Sequence, residues 1–164
     1  MRYLLIIMVL FLFLPATAVA WPGRIVNVID GDTIDVEPSE GGQRVRVRLH
    51  GIDAPEKNQT GGESAKGFVF GFLYQTVEVA EQDKSPDRYG RAVAIIHFHD
   101  GDTLQAAILR AGLAWVWPRY CKNCESWQDL QGDARISRHG LWSEPNPTAP
   151  WLWRQQSRDA RRNQ

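Results

Sequence analysis

The chain lacks net charge, has almost no cysteine and holds a single long apolar run. Its 19 Lys and Arg residues balance 19 Asp and Glu residues, so the formal net charge is zero with neutral histidines. That balance excludes whole-molecule attraction as the way a polyanion is held; positive charge for such a partner must be local. Two cysteines in 164 residues are too few for a disulfide scaffold. Fourteen glycines and nine prolines fall far short of a collagen-like or low-complexity composition. With 43% hydrophobic and 23% charged residues, the profile is that of a folded globular protein, which excludes a wholly disordered chain. A chain near this length is one domain by size and hides roughly two-thirds of its unfolded surface on folding. Its core therefore needs neither metal nor cross-links to form.

The long apolar run covers residues 3–14. It follows Arg2, is broken by Pro15 and leads into Ala18-Val19-Ala20. This is the layout of a secretory signal peptide with an A-x-A cleavage site. Twelve apolar residues fall short of the ~20 that span a bilayer; an uncleaved membrane anchor is the alternative. The expectation is cleavage after Ala20, a mature chain from Trp21, and a periplasmic or secreted, oxidising location. The expected organisation is a leader over 1–20, a folded domain over 21–143, and a proline-rich then basic tail over 144–164.

Hydrophobic patterning then sketches the domain. Residues 24–29 and 33–37 are β-rich runs around an Asp30-Gly31 turn. Residues 44–49 alternate strictly, with Arg44, Arg46 and Arg48 on one face and Val45, Val47 and Leu49 on the other. Arg44 and Arg46 read as a solvated face. A helix with an aromatic face from Phe68 and Phe72 is expected over 63–74, weakened by Gly67 and Gly71. Strands follow over 76–80 and 92–98, a helix over 104–111 ended by Gly112, a strand over 113–117, and a helix over 126–138 ended by Gly140. Early strands with helices between and after them predict an α+β fold built on a small antiparallel barrel.

Acids cluster at two turns, Asp30-Gly31-Asp32-Thr33 and Asp53-Ala54-Pro55-Glu56. Hard oxygen ligands of this kind suit Ca²⁺ or Mg²⁺ rather than Zn²⁺. The chain holds its own control. Asp100-Gly101-Asp102-Thr103 repeats the first tetrapeptide, but Leu104, Ile108 and Leu109 follow at helical spacing, so this copy reads as a helix cap. Arg48 separates the first copy from that fate. It ends the alternating strand five residues before Asp53 and eight before Glu56, so a tight turn can aim all three into one pocket. Arg91, in Tyr89-Gly90-Arg91, must arrive from elsewhere. Two permanently charged, planar guanidinium groups match phosphate oxygens. A carboxylate can orient or deprotonate water, and a cation held by two other carboxylates can polarise a phosphate. The set is coherent for metal-assisted phosphodiester hydrolysis.

Three blocks resemble the thermonuclease family, the staphylococcal-nuclease-like fold. They are Ile29-Asp30-Gly31-Asp32-Thr33, then Arg48-Leu49-His50-Gly51-Ile52-Asp53-Ala54-Pro55-Glu56, then Asp87-Arg88-Tyr89-Gly90-Arg91, in the family's order and spacing. The resemblance runs over residues 24–142. It implies an OB-fold, five-stranded antiparallel β-barrel with about three helices, and Ca²⁺-dependent cleavage of DNA and RNA that leaves 3′-phosphate ends. It implies Asp32 and Asp53 as Ca²⁺ carboxylates, with Ala54 giving a backbone carbonyl where many members have threonine. Glu56 is the implied general base or water positioner, and Arg48 and Arg91 the phosphate clamps. Tyr89 is expected to line the nucleotide pocket, with Asp30 behind the metal ligands.

The neutral charge departs from the family's strongly basic members. Weaker nonspecific binding is expected, since phosphate contacts dominate nucleic-acid affinity. Arg119, Lys122 and the tail arginines are the local help; otherwise the tail reads as a solvated, disordered end. Trp115, Trp117, Trp127, Trp142, Trp151 and Trp153 crowd the C-terminal third and read chiefly as packing. Trp117 and Tyr120 are the two aromatics expected near substrate, where bases can stack on them. Cys121 and Cys124 read as a local disulfide; a redox motif lacks its βαβ surroundings and a zinc site lacks a second cysteine pair. A monomer with no stable protein partner is expected. The competing classes are a noncatalytic OB-type module that binds nucleic acid or protein, and a CxxC redox protein.

Overall fold

The computed structural model describes residues 20–122 and 124–163. The expected leader lies outside these residues except for Ala20, which opens the first strand.

Five strands close a barrel in the order β1 (Ala20–Asp30), β2 (Thr33–Pro38), β3 (Val45–Leu49), β6 (Ala92–His97), β5 (Thr76–Glu81), with β5 returning to β1. The barrel is mixed. β3 and β6 run parallel, with Val47 opposite Ala92 and Arg48 opposite Val93, while the other seams are antiparallel. Closure depends on β1, whose N-terminal half pairs with β5 and whose C-terminal half pairs with β2. Two register shifts in β1, between Ile25 and Asn27 and between Val28 and Asp30, let it bend from one neighbour to the other. The alternating apolar residues Ile25, Ile34, Val36, Val47, Leu49, Val77, Val79 and Ile96 fill the interior and are all buried. Each fully buried aliphatic side chain contributes about 1.5–3 kcal/mol by leaving water.

Helices cover the barrel. α1 (Gly62–Phe70) buries Ala65 and Val69. It is shorter than its sequence pattern, because Gly71 caps it and residues 71–74 turn. The expected aromatic face survives the shortening: Phe72 stacks on Phe98 with centroids 5.2 Å apart. α2 (Leu104–Arg110) is capped as expected, Ala106 N–H donating to Thr103 Oγ1 at 3.1 Å. Arg46, expected as solvated, donates to Asp35 Oδ1 at 2.8 Å across the β2–β3 seam.

A short ribbon, β4 (Ile52–Asp53) with β7 (Trp115–Val116), lies beside the barrel. α3 (Glu125–Ile136) supports it, since Val116 N–H donates to Gln131 Oε1 at 2.8 Å. A single 3-10 turn, Gly140–Ser143, follows, and then a fourth helix, α4 (Pro150–Arg162). The segment read as proline-rich tail therefore ends in a helix, with Pro150 in its first turn, where a missing N–H costs nothing.

Candidate active site

The site forms where three chain segments meet at one end of the barrel. β1 and β2 are joined by a two-residue turn, Gly31 and Asp32. Asp30 Oδ1 accepts the Asp32 N–H at 3.0 Å and shapes that turn. The β3–β4 loop brings Asp53 and Ala54 alongside: Ala54 N–H donates to Asp32 Oδ2 at 2.7 Å. Gly51 makes this loop possible. Its φ is +73°, and a Cβ there would lie 2.9 Å from Cys121 Sγ. The Cys121–Cys124 disulfide thus sits behind the loop.

Arg48 welds the two acidic turns together. Its Nη1 reaches Asp32 Oδ2 at 2.7 Å and its Nη2 reaches Asp53 Oδ1 at 2.8 Å. The Arg48 side chain is 12% exposed and that of Asp53 is fully buried. Glu56 follows on the rim, its side chain 42% exposed. Its N–H donates to Gln59 Oε1 at 3.2 Å, and Gln59 Nε2 donates to Thr148 O at 2.6 Å.

Arg91 immediately precedes the neighbouring strand, β6. The parallel β3–β6 register and the two-residue strand period put it on the same outer side as Arg48. Asp87 holds it, with Arg91 Nη2 and Nε at 2.7 and 2.9 Å from Oδ2. Among the described residues, its link towards the acids is a long contact from Nη1 to Thr33 Oγ1, 3.5 Å. Tyr89 stands exposed beside it, with the Arg88 and Arg91 guanidiniums 4.7 and 5.2 Å from its ring centroid.

Sequence reasoning missed one member of the cluster, Arg154 of α4. Its Nη2 lies 2.7 Å from Asp53 Oδ2, and its Nη1 lies 2.6 Å from Glu56 Oε1 and 3.2 Å from Asp53 Oδ1. The guanidinium also sits 5.2 Å from the Trp117 ring centroid. Trp117 in turn stacks against Trp151 at 6.1 Å and meets Tyr120 edge-on at 4.6 Å. Trp117 therefore lies beside Arg154 and seats α4. The available signal was the i, i+4, i+7 spacing of Arg154, Arg158 and Arg161 behind a proline suited to a helix start.

Electrostatics follow from this crowding. Burial pushes the Asp32 carboxyl up to about 7; Arg48 pulls against the push, and Asp30 and Asp53 add to it. Burial also raises Asp53, against Arg154 and Arg48, with Glu56 adding to the rise. For Arg154, burial opposes the charge, but hydrogen bonds and attraction from Asp53 and Glu56 outweigh it and hold its pKa above the ordinary value.

Among the described residues, no three Asp, Glu, His or Cys side chains converge on one point. Guanidinium groups stand between the acids instead. The donor set still fits a divalent cation by its chemistry. The carboxyl groups of Asp30, Asp32, Asp53 and Glu56 outnumber the guanidinium groups of Arg48 and Arg154 by two, and their oxygens are hard ligands.

Buried aspartates bridged by an arginine, with a carboxylate on the rim and further arginines beside it, are groups whose chemistry suits phosphodiester hydrolysis. The chain's similarity to known proteins is more specific. Residues 46–144 match the family described as staphylococcal nuclease homologue. An uncharacterized endonuclease of Escherichia coli O157:H7 is 40% identical over 158 residues, covering 90% of this chain and 94% of the relative. A micrococcal nuclease of Shigella flexneri is 36% identical, covering 93% and 90%. A staphylococcal-like nuclease of Arabidopsis thaliana is 36% identical over 122 residues, covering 71% of this chain and 35% of the plant protein. The chain belongs to the staphylococcal nuclease family and is a nuclease-type hydrolase.

Proposed function

We propose that this chain is an exported, divalent-cation-dependent nuclease that hydrolyses phosphodiester bonds of DNA and RNA and leaves 3′-phosphate ends. The observation that carries the reading is the bridging of Asp32 and Asp53 by Arg48, with Glu56 tied to the same Asp53 through Arg154. Asp32, Asp53 and the Ala54 carbonyl would hold the cation, Ca²⁺ first and Mg²⁺ as the alternative. When bound, it would polarise the phosphate. Glu56 orients the attacking water or takes its proton as the water oxygen bonds to phosphorus; the P–O5′ bond breaks and the 5′ oxygen takes a proton from solvent. Arg48 and Arg91 offset the charge that builds on phosphorus-bound oxygens; one such aimed donor is worth about 10²–10³ in rate. Tyr89, Trp117 and Tyr120 flank the path of the nucleotide. The apolar leader and the Ala18-Val19-Ala20 site support export to the periplasm or medium. A monomer suffices for this chemistry.

The test uses residues 21–164 with single-stranded and duplex DNA and RNA, in Ca²⁺, in Mg²⁺ and in chelator, with end-group analysis. Cation-dependent fragments ending in 3′-phosphate are expected, together with loss of cleavage but not binding in Glu56→Gln. Binding without cleavage under every cation would instead make the protein an OB-type binding module.

A further inference from the structure

α4 does more than deliver Arg154. Three contacts fix how it sits: Arg154 on Asp53 and Glu56, Trp151 on Trp117, and the Thr148 carbonyl just before it on Gln59. Its rotation is therefore set by the site itself. With α-helical periodicity, Arg158 and Arg161 share the face of Arg154 and lie about 6 and 10 Å further along the axis. Asp159, the one acid of α4, falls roughly 140° round from Arg154.

That face forms one wall of an open groove of about 420 Å³ that starts at Glu56. Arg154, Ser157, Arg158 and Arg161 stand on the helix side, and Glu56 and Lys57 stand opposite. Arg158, Arg161 and Lys57 are exposed and make no ion pair among the described residues. Other arginines are neutralised where they stand: Arg24 by Glu37, Arg46 by Asp35, Arg91 by Asp87, Arg110 by Asp102. Arg44, Arg88, Arg119, Arg135, Arg138 and Arg162 also make no ion pair among the described residues; Arg158, Arg161 and Lys57 differ in lining the groove beside the rim carboxylate.

We propose that Arg158 and Arg161, with Lys57 across the groove, form a substrate subsite that takes the phosphates of the strand flanking the bond to be cut. The inference rests on the nuclease reading of the Glu56 site and extends it. Guanidinium groups pair with phosphate in bidentate fashion and carry no base information. The subsite therefore adds affinity for strand length rather than for sequence. It supplies locally the attraction that the neutral chain lacks as a whole.

The experiment measures binding of a labelled single-stranded 12-mer in chelator, so that no bond is cut, over a range of NaCl concentrations. Wild type, Arg158→Gln/Arg161→Gln, Arg158→Lys/Arg161→Lys and Arg24→Gln are compared, each checked for an unchanged thermal melt. Removing two phosphate contacts should flatten the log affinity against log salt line by roughly 1.4. Taken from 1 M down to 0.1 M salt, that slope change should weaken binding about 25-fold. The lysine pair should recover most of the slope, and Arg24→Gln should match wild type. Equal slopes and affinities for wild type and the glutamine pair would overturn the subsite, as would the same loss in Arg24→Gln. The nuclease reading is scored separately by cleavage in Ca²⁺ or Mg²⁺. A wild type that cuts while the glutamine pair binds normally sinks the subsite alone; a wild type that neither binds nor cuts sinks both.

Discussion

Asp87 shows how one carboxylate can set up another residue's chemistry. Burial works against its charge, but the Arg91 side chain and the backbone N–H groups of Arg91 and Tyr89 outweigh that cost and hold its pKa below the ordinary value. The sign follows directly. A carboxylate with a depressed folded pKa adds stability that is fully present above its unfolded pKa, about 3.9. That stability is lost as pH falls through the folded value. Asp87→Asn should therefore remove part of the acid sensitivity of unfolding below about pH 4, and urea melts across that range would show it. At neutral pH the same change frees Arg91, so the rate of strand cleavage should fall. A variant whose acid limb superimposes on wild type would show that Asp87 carries no linkage. Local residue patterns of this kind were legible in the sequence. The Arg-Val alternation of β3 and the spacing from Arg48 to Glu56 correspond to the observed cluster, because strand period and a short loop leave little freedom. Arg154 was not legible in that way, since its partners lie about a hundred residues earlier and no local rule links them.

At the scale of elements, α4 is the main departure from expectation. A proline-rich then arginine-rich stretch reads by composition as a solvated end. Here Pro150 starts a helix, Trp151 finds Trp117, and Arg154 finds two carboxylates. Tertiary contacts thus decided an element that local propensity left open. Losing Arg154 should have a defined cost. Asp53 is fully buried and would keep only Arg48 as a cationic partner. Arg154→Gln should destabilise the cation-free protein by about 1–3 kcal/mol, the usual penalty for stripping a partner from a buried polar group. Added Ca²⁺ should then raise the melting temperature more in the variant than in wild type, because a ligand that binds the folded state alone stabilises it. Differential scanning calorimetry with and without Ca²⁺ reads both effects. Equal Ca²⁺ shifts would mean that Arg154 and the cation do not share the Asp53 carboxylate. The parallel β3–β6 seam was equally hidden, since residue patterns do not state which distant strands pair.

For the whole molecule, the barrel core does most of the stabilising and the cross-link little. Cys121 and Cys124 close a loop with a sequence separation of 3. Loop entropy for so short a span is worth about 2 kcal/mol at most. Reduction should therefore lower the melting temperature by roughly 4–8 °C and leave a folded, active nuclease, as melts and assays with and without dithiothreitol would reveal. Complete inactivation on reduction would instead point to the loop bearing Gly51, which lies against Cys121. The balance of charge visible in the composition also holds a whole-molecule message, because a neutral total still leaves unpaired cations such as Arg158 and Arg161 beside the rim. The Glu56 loop is moored to the C-terminal segment twice, through Gln59 to Thr148 and through Arg154. Both moorings pass through the same short stretch of chain. A single protease nick between residues 144 and 149 would loosen both, while every strand of the barrel kept its partner. Peptide mapping of aged, inactive enzyme should look there first, and fusion tags belong on the other end.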